Sequence, residues 1–401
     1  MDSFVKYQRQ LLEQARFVNY ETPISEATER AFLAVPRHRF VSRYRAFGTK
    51  EWQEVTQENL QEHLGRLYAD GPLCLLGDDD DDIPSTISQP SFVLRCLDML
   101  QLRPGQKVFE LGAGSGWNAA LMAHLAGPDG HVYTVEIIPE LASRVSKTLD
   151  ALGVTNVTVI AADGGDGYAA GAPYERATFT AGTYDLPRHF YDQMKDDALL
   201  LVGIKNEGGG DNLFLLRKRA DHFESVESMP CGWVQLRGKY QIESANPQPI
   251  ESLSEWDDLR REEISRTPYW WSVRGRDQFV WATLGIRSFL GITEPLFRTF
   301  KVEKTPERPR EERYFGLWDQ PHHSLVLAKH DCLIAYGNLL ARERLMQRIR
   351  QWVDLGMPTG ASFSLQVYPV GVARTARDNQ WIVKRRESQF LWSLATSAHS
   401  V

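Results

Sequence analysis

Two short turns between residues 85 and 116 carry residue types suited to chemistry. The first is the polar run Ser85-Thr86-Ile87-Ser88-Gln89-Pro90, and the second is the glycine-rich run Gly112-Ala113-Gly114-Ser115-Gly116, preceded by Glu110. The hydroxyl groups of the first turn can fix a reacting group, and the exposed backbone of the second can bind a cofactor. Apolar residues at helical spacing from Phe92 to Leu100 allow both turns to meet at one end of a sheet.

The glycine spacing favours S-adenosylmethionine over a dinucleotide. Val108–Leu111 is predicted to be a buried strand and Trp117–Leu125 a helix, so the glycines lie on a strand-to-helix turn. A dinucleotide turn needs Gly-x-Gly-x-x-Gly, because its pyrophosphate rests on the helix N-terminus. S-adenosylmethionine has no phosphate, and its cationic methionine end suits the carboxylate of Glu110.

Two further acids are predicted to follow strands of the same sheet. The strand Val132–Val135 ends at Glu136, a position from which a carboxylate can accept hydrogen bonds from both ribose hydroxyls. Asp163 follows the next strand and is expected to bind the adenine amino group. The predicted cofactor-binding residues are Thr86, Glu110, Gly112, Gly114, Gly116, Glu136, Ile137, Asp163 and Gly164.

The run Thr86-Ile87-Ser88-Gln89-Pro90 resembles the characteristic loop of the protein-L-isoaspartate O-methyltransferase family. Ala34-Val35-Pro36-Arg37-His38-Arg39-Phe40-Val41 resembles the family's N-terminal element, and the resemblance covers residues 1–242. It implies methyl transfer from S-adenosylmethionine to the side-chain or α-carboxylate of an isomerised aspartate in a peptide, with Ser88 as the active-site serine. The substrate-binding residues implied are Thr86, Ile87, Ser88, Val202 and Gly203.

The chemistry of carboxyl methylation agrees with this inventory of residues. A carboxylate of pKa ~4 is already ionised at neutral pH, so its attack needs positioning and desolvation more than a general base. Ser88 can donate a hydrogen bond that fixes the attacking carboxylate. The alternative is that Ser88 only shapes the turn before Pro90.

Length and composition indicate two domains and no nucleic-acid partner. The 401 residues are long for one domain, and the net charge of −6 comes from interleaved acids and bases without a basic stripe. We predict an α/β fold with a Rossmann-like methyltransferase sheet over residues 1–242, and a smaller α+β accessory domain over residues 250–401. The second domain is similar to the extension of family members that accompany ribosomal-peptide maturation, and it is a candidate for substrate recognition.

The cysteines and the N-terminus predict a soluble cytoplasmic protein. Cys74, Cys96, Cys231 and Cys332 show neither the pairing of a disulfide framework nor the spacing of a metal site. No secretion signal and no apolar run of membrane-spanning length is present. We therefore expect no metal and no membrane partner, and the oligomeric state is left open.

Several stretches depart from the family pattern, and others predict single elements of secondary structure. The acidic insertion Asp78–Asp82 is either a solvated loop or a rim that attracts a basic peptide. Tyr184 is bulkier than the small residues usual at its position. The predicted elements are a polar, helix-prone run over Glu51–Leu67, a strand over Glu224–Leu236, a charged helix over Trp256–Ile264, and a β-β-α-β pattern from Tyr314 to Val370.

Three hypotheses about function follow from the sequence. One is a repair methyltransferase that acts on isoaspartate in many damaged proteins. Another is a dedicated enzyme that esterifies an aspartate in one partner, whose ester can then cyclise to an imide. The third is an adaptor that binds S-adenosylmethionine and isoaspartate-like peptides without catalysis. Tyr184 and the additional domain favour the dedicated enzyme, while the intact Ser88 and the acids argue against the adaptor.

Overall fold

A computed structural model describes residues 4–77, 83–242, 247–269, 276–302, 311–372 and 374–394. The acidic insertion Asp78–Asp82 lies outside these residues. The chain forms two compact units. Unit 1 comprises residues 1–203, 214–227 and 232–241, and unit 2 comprises residues 204–213, 228–231 and 242–401.

Unit 1 places strand ends and helix starts at the predicted turns. Its helices are α1 (Phe4–Val18), α2 (Glu26–Ala34), α3 (Leu60–Leu67), α4 (Pro90–Leu100), α5 (Trp117–Ala126), α6 (Pro139–Ala151) and α7 (His189–Gln193). Its strands are β1 (Arg43–Arg45), β2 (Trp52–Glu54), β3 (Leu73–Leu76), β4 (Ser85–Ile87), β5 (Lys107–Leu111), β6 (His131–Glu136), β7 (Val157–Ala161), β8 (Tyr174–Phe179), β9 (Met194–Ile204), β10 (Asn212–Lys218) and β11 (Phe223–Pro230).

Seven of these strands run in the order β11-β10-β9-β8-β5-β6-β7. The pairs β9/β8, β8/β5, β5/β6 and β6/β7 are parallel, so their carboxyl ends share one edge of the sheet. Val108, Phe109 and Leu111 are buried, as a strand covered on both faces requires. The predicted strands at residues 108 and 132 and the predicted helices at residues 92 and 117 are confirmed.

A small antiparallel sheet in the order β2-β1-β3-β4 carries the polar turn. In its β3/β4 pair, Leu73 lies opposite Ile87 and Cys74 lies opposite Thr86. The polar turn therefore leaves the end of β4 and enters α4 at Pro90, a residue suited to the first helical turn because it needs no amide donor there.

Unit 2 contains a mixed six-stranded sheet and three further antiparallel strands. Its helices are α8 (Trp256–Leu259), α9 (Arg276–Thr293) and α10 (Leu340–Asp354). Its strands are β12 (Gln248–Pro249), β13 (Glu263–Pro268), β14 (Phe297–Val302), β15 (Glu312–Asp319), β16 (Ser324–Ala328), β17 (Cys332–Tyr336), β18 (Phe363–Pro369), β19 (Gln380–Lys384) and β20 (Ser388–Leu394). The sheet order is β12-β14-β15-β16-β17-β13, and α10 packs on β15, β16 and β17 with Leu345, Ile349 and Trp352 buried.

Three predicted elements were wrong in part, and in two of them a strand pairing outweighs local propensity. In the run Glu51–Leu67, residues 52–54 pair with β1 and only Leu60–Leu67 is helical. The strand predicted over Glu224–Leu236 ends at Pro230. The charged helix predicted over Trp256–Ile264 ends at Leu259, because residues 263–268 form β13 and pair with β17.

Within the described part of the chain, none of the helices combines the length and the apolar character that a membrane crossing requires.

Candidate active site

The glycine turn after β5 has two crowded positions and one at which a Cβ would make only ordinary contacts. A Cβ at Gly112 would lie 2.4 Å from Thr180 Oγ1, and a Cβ at Gly116 would lie 2.7 Å from Val145 Cγ1. Both glycines also have positive φ, so a side chain at either position would meet a neighbour and strain the backbone. Gly114 has positive φ as well, but a Cβ there would be no closer than 3.5 Å to the Thr86 carbonyl oxygen. The turn therefore presents backbone to the polar turn of β4.

Glu136 at the end of β6 holds this glycine turn in place. Its Oε2 accepts a hydrogen bond from the Gly114 amide at 2.9 Å, and its Oε1 accepts one from the Ile138 amide at 3.1 Å. The residue is 5% exposed. Each carboxylate oxygen can accept a further hydrogen bond, so Glu136 can hold the turn and a ligand hydroxyl together.

Glu110 is fully buried and has two neutral donors. Thr134 Oγ1 donates to its Oε2 at 2.6 Å, and Asn118 Nδ2 donates to its Oε1 at 2.7 Å. Burial raises the pKa of Glu110 to about 7, and the two hydrogen bonds limit that rise. Asn118 and Thr134 were missed by the sequence analysis, although both occupy positions adjacent to the predicted site on α5 and β6.

Asp163 fastens the segment that follows residues 233–237 of the pocket lining. Its Oδ1 accepts from the Gly165 amide and its Oδ2 accepts from the Lys239 amide, each at 2.9 Å. A Cβ at Gly165 would lie 2.0 Å from Tyr240 Cδ2, so the Tyr240 ring rests directly on this backbone. Asp166 accepts a hydrogen bond from the Tyr240 hydroxyl at 2.9 Å. Residues 233–237, another feature that the sequence analysis missed, form a wall of the pocket, and the Gly182 amide and carbonyl bond Val234 and Leu236, each at 2.8 Å.

Ser88 contributes an available hydroxyl group to the same pocket. Its side chain is half-buried, and among the described residues the hydroxyl has no hydrogen-bond partner. Its backbone is held instead, because the Ser88 carbonyl accepts a hydrogen bond from Arg37 Nη1 at 2.7 Å.

The start of α4 is fixed by Asp70, a residue distant in sequence. Asp70 accepts hydrogen bonds from the Ser91 amide at 2.8 Å, from Ser91 Oγ at 2.7 Å and from Gln89 Nε2 at 3.0 Å. The helix lacks a side-chain cap of its own from Gln89. Asp70 thus supplies the cap that a carboxylate provides at a helix N-terminus.

Arg37, in the N-terminal element formed by residues 34–41, links that element to the polar turn. Its side chain is fully buried, and its Nη2 donates to the Gly71 carbonyl at 3.2 Å and the Ile87 carbonyl at 3.5 Å. Its guanidinium lies 5.0 Å from the centroid of the Trp117 ring. Burial lowers the pKa of Arg37 to about 9, so it stays charged at neutral pH.

One pocket brings most of the predicted residues together. Its lining includes Thr86, Ile87, Ser88, Glu110, Gly112, Gly114, Glu136, Ile137 and Gly164. Gly116 and Asp163 do not line it and act through the packing and hydrogen bonds described above. Val202 and Gly203 do not line it either: Val202 is buried in β9, and the Gly203 carbonyl accepts from the Thr183 amide at 2.9 Å. Tyr184 is likewise absent from the lining.

The arrangement fits a ligand with a ribose and a cationic end. The Gly114 backbone lines the pocket, and a carboxylate stands at each of two adjacent strand ends. A parallel α/β sheet with this turn defines a Rossmann-like S-adenosylmethionine-dependent methyltransferase.

Comparison with known proteins identifies the family. Residues 7–241 match the family model described as protein-L-isoaspartate(D-aspartate) O-methyltransferase. The protein-L-isoaspartate O-methyltransferase of Ignicoccus hospitalis is 40% identical over 151 residues, which are 38% of this chain and 72% of that relative. The enzyme of the same name from Methanothermobacter thermautotrophicus is 36% identical over 217 residues, which are 54% of this chain and 89% of that relative.

The similarity of fold extends over both units. A solved structure titled protein-L-isoaspartate O-methyltransferase superposes with a TM-score of 0.51 and 20% identity, covering 88% of this chain and 96% of that one. The chain belongs to the protein-L-isoaspartate(D-aspartate) O-methyltransferase family. It is an S-adenosylmethionine-dependent methyltransferase of protein isoaspartate, so the hypothesis of a non-catalytic adaptor is set aside.

The buried carboxyl of Glu110 predicts a pH-dependent affinity for S-adenosylmethionine. Below its pKa of about 7 the carboxyl is neutral, and above that pH it is an anion that attracts a cationic ligand. Affinity is therefore expected to rise as pH increases through about 7. Isothermal titration calorimetry over this pH range measures it, and Glu110→Gln is the matched control that should flatten the dependence. An equally steep rise in Glu110→Gln would show that another group titrates.

Proposed function

We propose that Ser88 positions the acceptor carboxylate while Glu136 and the glycine turn hold S-adenosylmethionine in the same pocket. The observation that carries this proposal is the Ser88 hydroxyl without a partner among the described residues, in one pocket with the Gly114 backbone and Glu136. A hydroxyl without a partner can donate to a carboxylate oxygen at no loss of an internal hydrogen bond.

Bound S-adenosylmethionine supplies a methyl group on a sulfonium sulfur, and the acceptor carboxylate oxygen displaces that sulfur in line to give a methyl ester. The protein's residues have three tasks in this reaction. Glu136 binds the ribose through its remaining lone pairs, Glu110 provides negative charge near the cationic end, and Ser88 orients the carboxylate. No proton is transferred in the step, so the site requires no general base.

The rigidity of the polar turn is the second support for the proposal. Arg37 holds the Ser88 carbonyl and Asp70 holds the start of α4, so the hydroxyl is carried by a backbone fixed at both ends. An attacking carboxylate gains most from a partner whose own position is already set, because little ordering is left for the reaction itself.

Ser88→Ala tests the role of this hydroxyl. We expect turnover to fall about tenfold to a hundredfold, since one hydrogen bond to a charged acceptor is lost. The affinity for S-adenosylmethionine should stay unchanged, because the hydroxyl acts on the acceptor. Steady-state methylation and calorimetry on the same preparation measure both quantities. Full turnover in Ser88→Ala would remove the serine from the proposal.

We further propose that the enzyme is selective for particular polypeptides, with residues 1–242 catalytic and residues 250–401 accessory. The additional unit supports selectivity. Tyr184 does not support it, because it lies outside the pocket lining, and Asp78–Asp82 lies outside the described residues. General repair is the second candidate, and the absence of Tyr184 from the pocket lining favours it. A selective enzyme that acts on a single partner peptide would have a dedicated role in peptide maturation.

Methyl incorporation into a panel of unrelated isoaspartyl peptides separates the two candidates. Selectivity predicts that most of the panel is methylated poorly by the full chain, because binding energy from remote parts of the substrate is missing. Similar kcat/KM values across the panel would instead establish general repair. A peptide series with the same isoaspartyl core and different flanking sequences serves as the control for the core itself.

A further inference from the structure

Unit 2 contains a cavity of about 570 Å³. One wall is formed by β19 together with Arg385, and another by the end of α9 and the start of β14. Glu207 and Gln248 complete the lining, and all of these residues belong to unit 2. The volume is of the size that proteins use for ligands rather than for solvent-filled packing defects.

The wall formed by β19 has an open backbone edge. In the three antiparallel strands β19-β20-β18, β19 pairs only with β20 among the described strands, and it stands at the end of the strand order. The Asn379 carbonyl accepts from the Leu394 amide at 3.0 Å, and the Arg385 amide donates to the Ser388 carbonyl at 2.9 Å. Antiparallel pairing alternates along a strand, so the intervening odd-numbered residues of β19 also bond β20. The amide and carbonyl groups of Ile382 and Lys384 therefore point to the open edge.

The cavity has an excess of positive charge. Arg298 Nη1 donates to two backbone carbonyls, of Pro295 at 2.9 Å and Phe297 at 2.6 Å, and within the described ranges it has no carboxylate partner. Lys384 is exposed and likewise lacks an ion pair there. Arg385 is paired through Nη1 with Glu207 at 2.6 Å, but its buried Nε has no partner in the part of the chain that the structure describes.

The buried acid Glu294, which also lines the cavity, does not cancel this positive charge. The Glu294 side chain is buried and already accepts hydrogen bonds from Arg344 Nε at 2.9 Å and Arg348 Nε at 2.8 Å. Two cations thus compensate Glu294, and these bonds hold its pKa below the usual range although burial opposes them. An anionic ligand would meet Arg298 and Lys384 without repulsion from Glu294.

We propose that an extended acidic segment of the polypeptide substrate adds to β19 as a further strand in this cavity. Main-chain bonds to Ile382 and Lys384 would give affinity for any extended chain, while Arg298 and Lys384 select acidic side chains. This proposal rests on the proposed function because the acidic segment flanks the methyl acceptor in the same polypeptide substrate. The additional unit would thus select polypeptides that carry an extended acidic segment.

Fluorescence anisotropy of a labelled, aspartate- and glutamate-rich peptide without isoaspartate tests the site in the full chain. The peptide should bind, and Lys384→Glu combined with Arg298→Glu should weaken its binding at least ~fivefold. Arg350→Glu, an exposed charge reversal on α10 of the same unit, is the matched control and should leave binding unchanged. Equal weakening by Arg350→Glu would mean that only the overall charge is sensed, which overturns the proposal.

A backbone test separates strand addition from simple ion binding. Ile382→Pro removes a backbone amide that β20 does not use, together with the isoleucine side chain, and proline is tolerated on edge strands. It should abolish peptide binding, whereas Ile382→Ala removes the side chain, keeps the amide and should bind. If inorganic phosphate competes fully and Ile382→Pro binds normally, the cavity holds an anion and not a strand. Concentration-dependent dimerisation that Ile382→Pro prevents, without peptide binding, would assign the edge to a second copy of this chain and also overturn the proposal.

The binding readout requires no catalysis, so it is independent of the methyl transfer reaction. For an acidic isoaspartyl substrate, the charge reversals should raise KM and leave kcat unchanged. For a short neutral isoaspartyl peptide they should change neither. Absence of methylation in the wild-type chain would contradict the proposed function, while unchanged KM in the variants would contradict the strand site alone.

Discussion

Arg37→Ala is expected to lower the free energy of unfolding by about 3–5 kcal/mol and to abolish most methyl transfer. The guanidinium is fully buried and donates to the carbonyls of Ser88, Gly71 and Ile87. Its removal leaves those acceptors without their donor and opens a cavity beside Trp117, which it contacts. The loss of stability and the loss of activity therefore share one cause.

A pair of variants separates stability from positioning at this residue. Arg37→Lys keeps the charge but has one point donor instead of a planar fork, so it should recover part of the stability and little of the turnover. Arg39→Ala, in the same N-terminal element and exposed, is the control and should stay within about 0.5 kcal/mol of wild type. Urea unfolding and methyl transfer at a temperature where all variants are folded give the two readouts. A wild-type unfolding curve for Arg37→Ala would contradict the role assigned to this side chain.

Glu136→Gln is expected to weaken the binding of S-adenosylmethionine by about 1–2 kcal/mol or more, roughly tenfold in Kd. Both carboxylate oxygens already hold backbone amides, of Gly114 and Ile138. A glutamine keeps only one acceptor and places an NH2 group against an amide donor, so the glycine turn loses its support together with the proposed ribose contact. Calorimetric titration with S-adenosylmethionine measures the effect.

The control for Glu136 lies one turn further along the chain. Glu140 is exposed in the first turn of α6, and Glu140→Gln removes the same charge without touching the glycine turn. It should bind S-adenosylmethionine as the wild type does. If both variants bind equally well, the ribose is held elsewhere and the assignment of Glu136 fails.

The sequence predicted the parts of the site that depend on local pattern. Strand β5 is buried from Val108 onwards, and β6 is buried at Val132 and over its last three residues. The ends of both strands, and with them Glu110 and Glu136, could therefore be located from hydrophobicity and turn residues alone. The glycine turn was predictable for the same reason. The physical reason for these glycines was harder to predict. Gly112 and Gly116 are needed because of Thr180 and Val145, which are distant along the chain.

What could not be predicted depends on contacts between distant segments. Arg37 and the Ser88 carbonyl are 51 residues apart, and Asp163 and the Lys239 amide are 76 apart. Arg37 stood in a recognised motif, yet nothing in its immediate sequence indicates which carbonyls it meets. The short strand β2 was missed for the same reason, because it forms only through pairing with β1.

The most direct test of carboxyl methylation is the chemical nature of the transferred group. The full chain is incubated with methyl-labelled S-adenosylmethionine and an isoaspartyl peptide, or with its twin in which alanine replaces the isoaspartate. We expect label in the isoaspartyl peptide alone, released as methanol by mild base because a carboxyl methyl ester is labile. Base-stable label, or equal label in the alanine twin, would contradict methyl transfer to the isoaspartyl carboxylate.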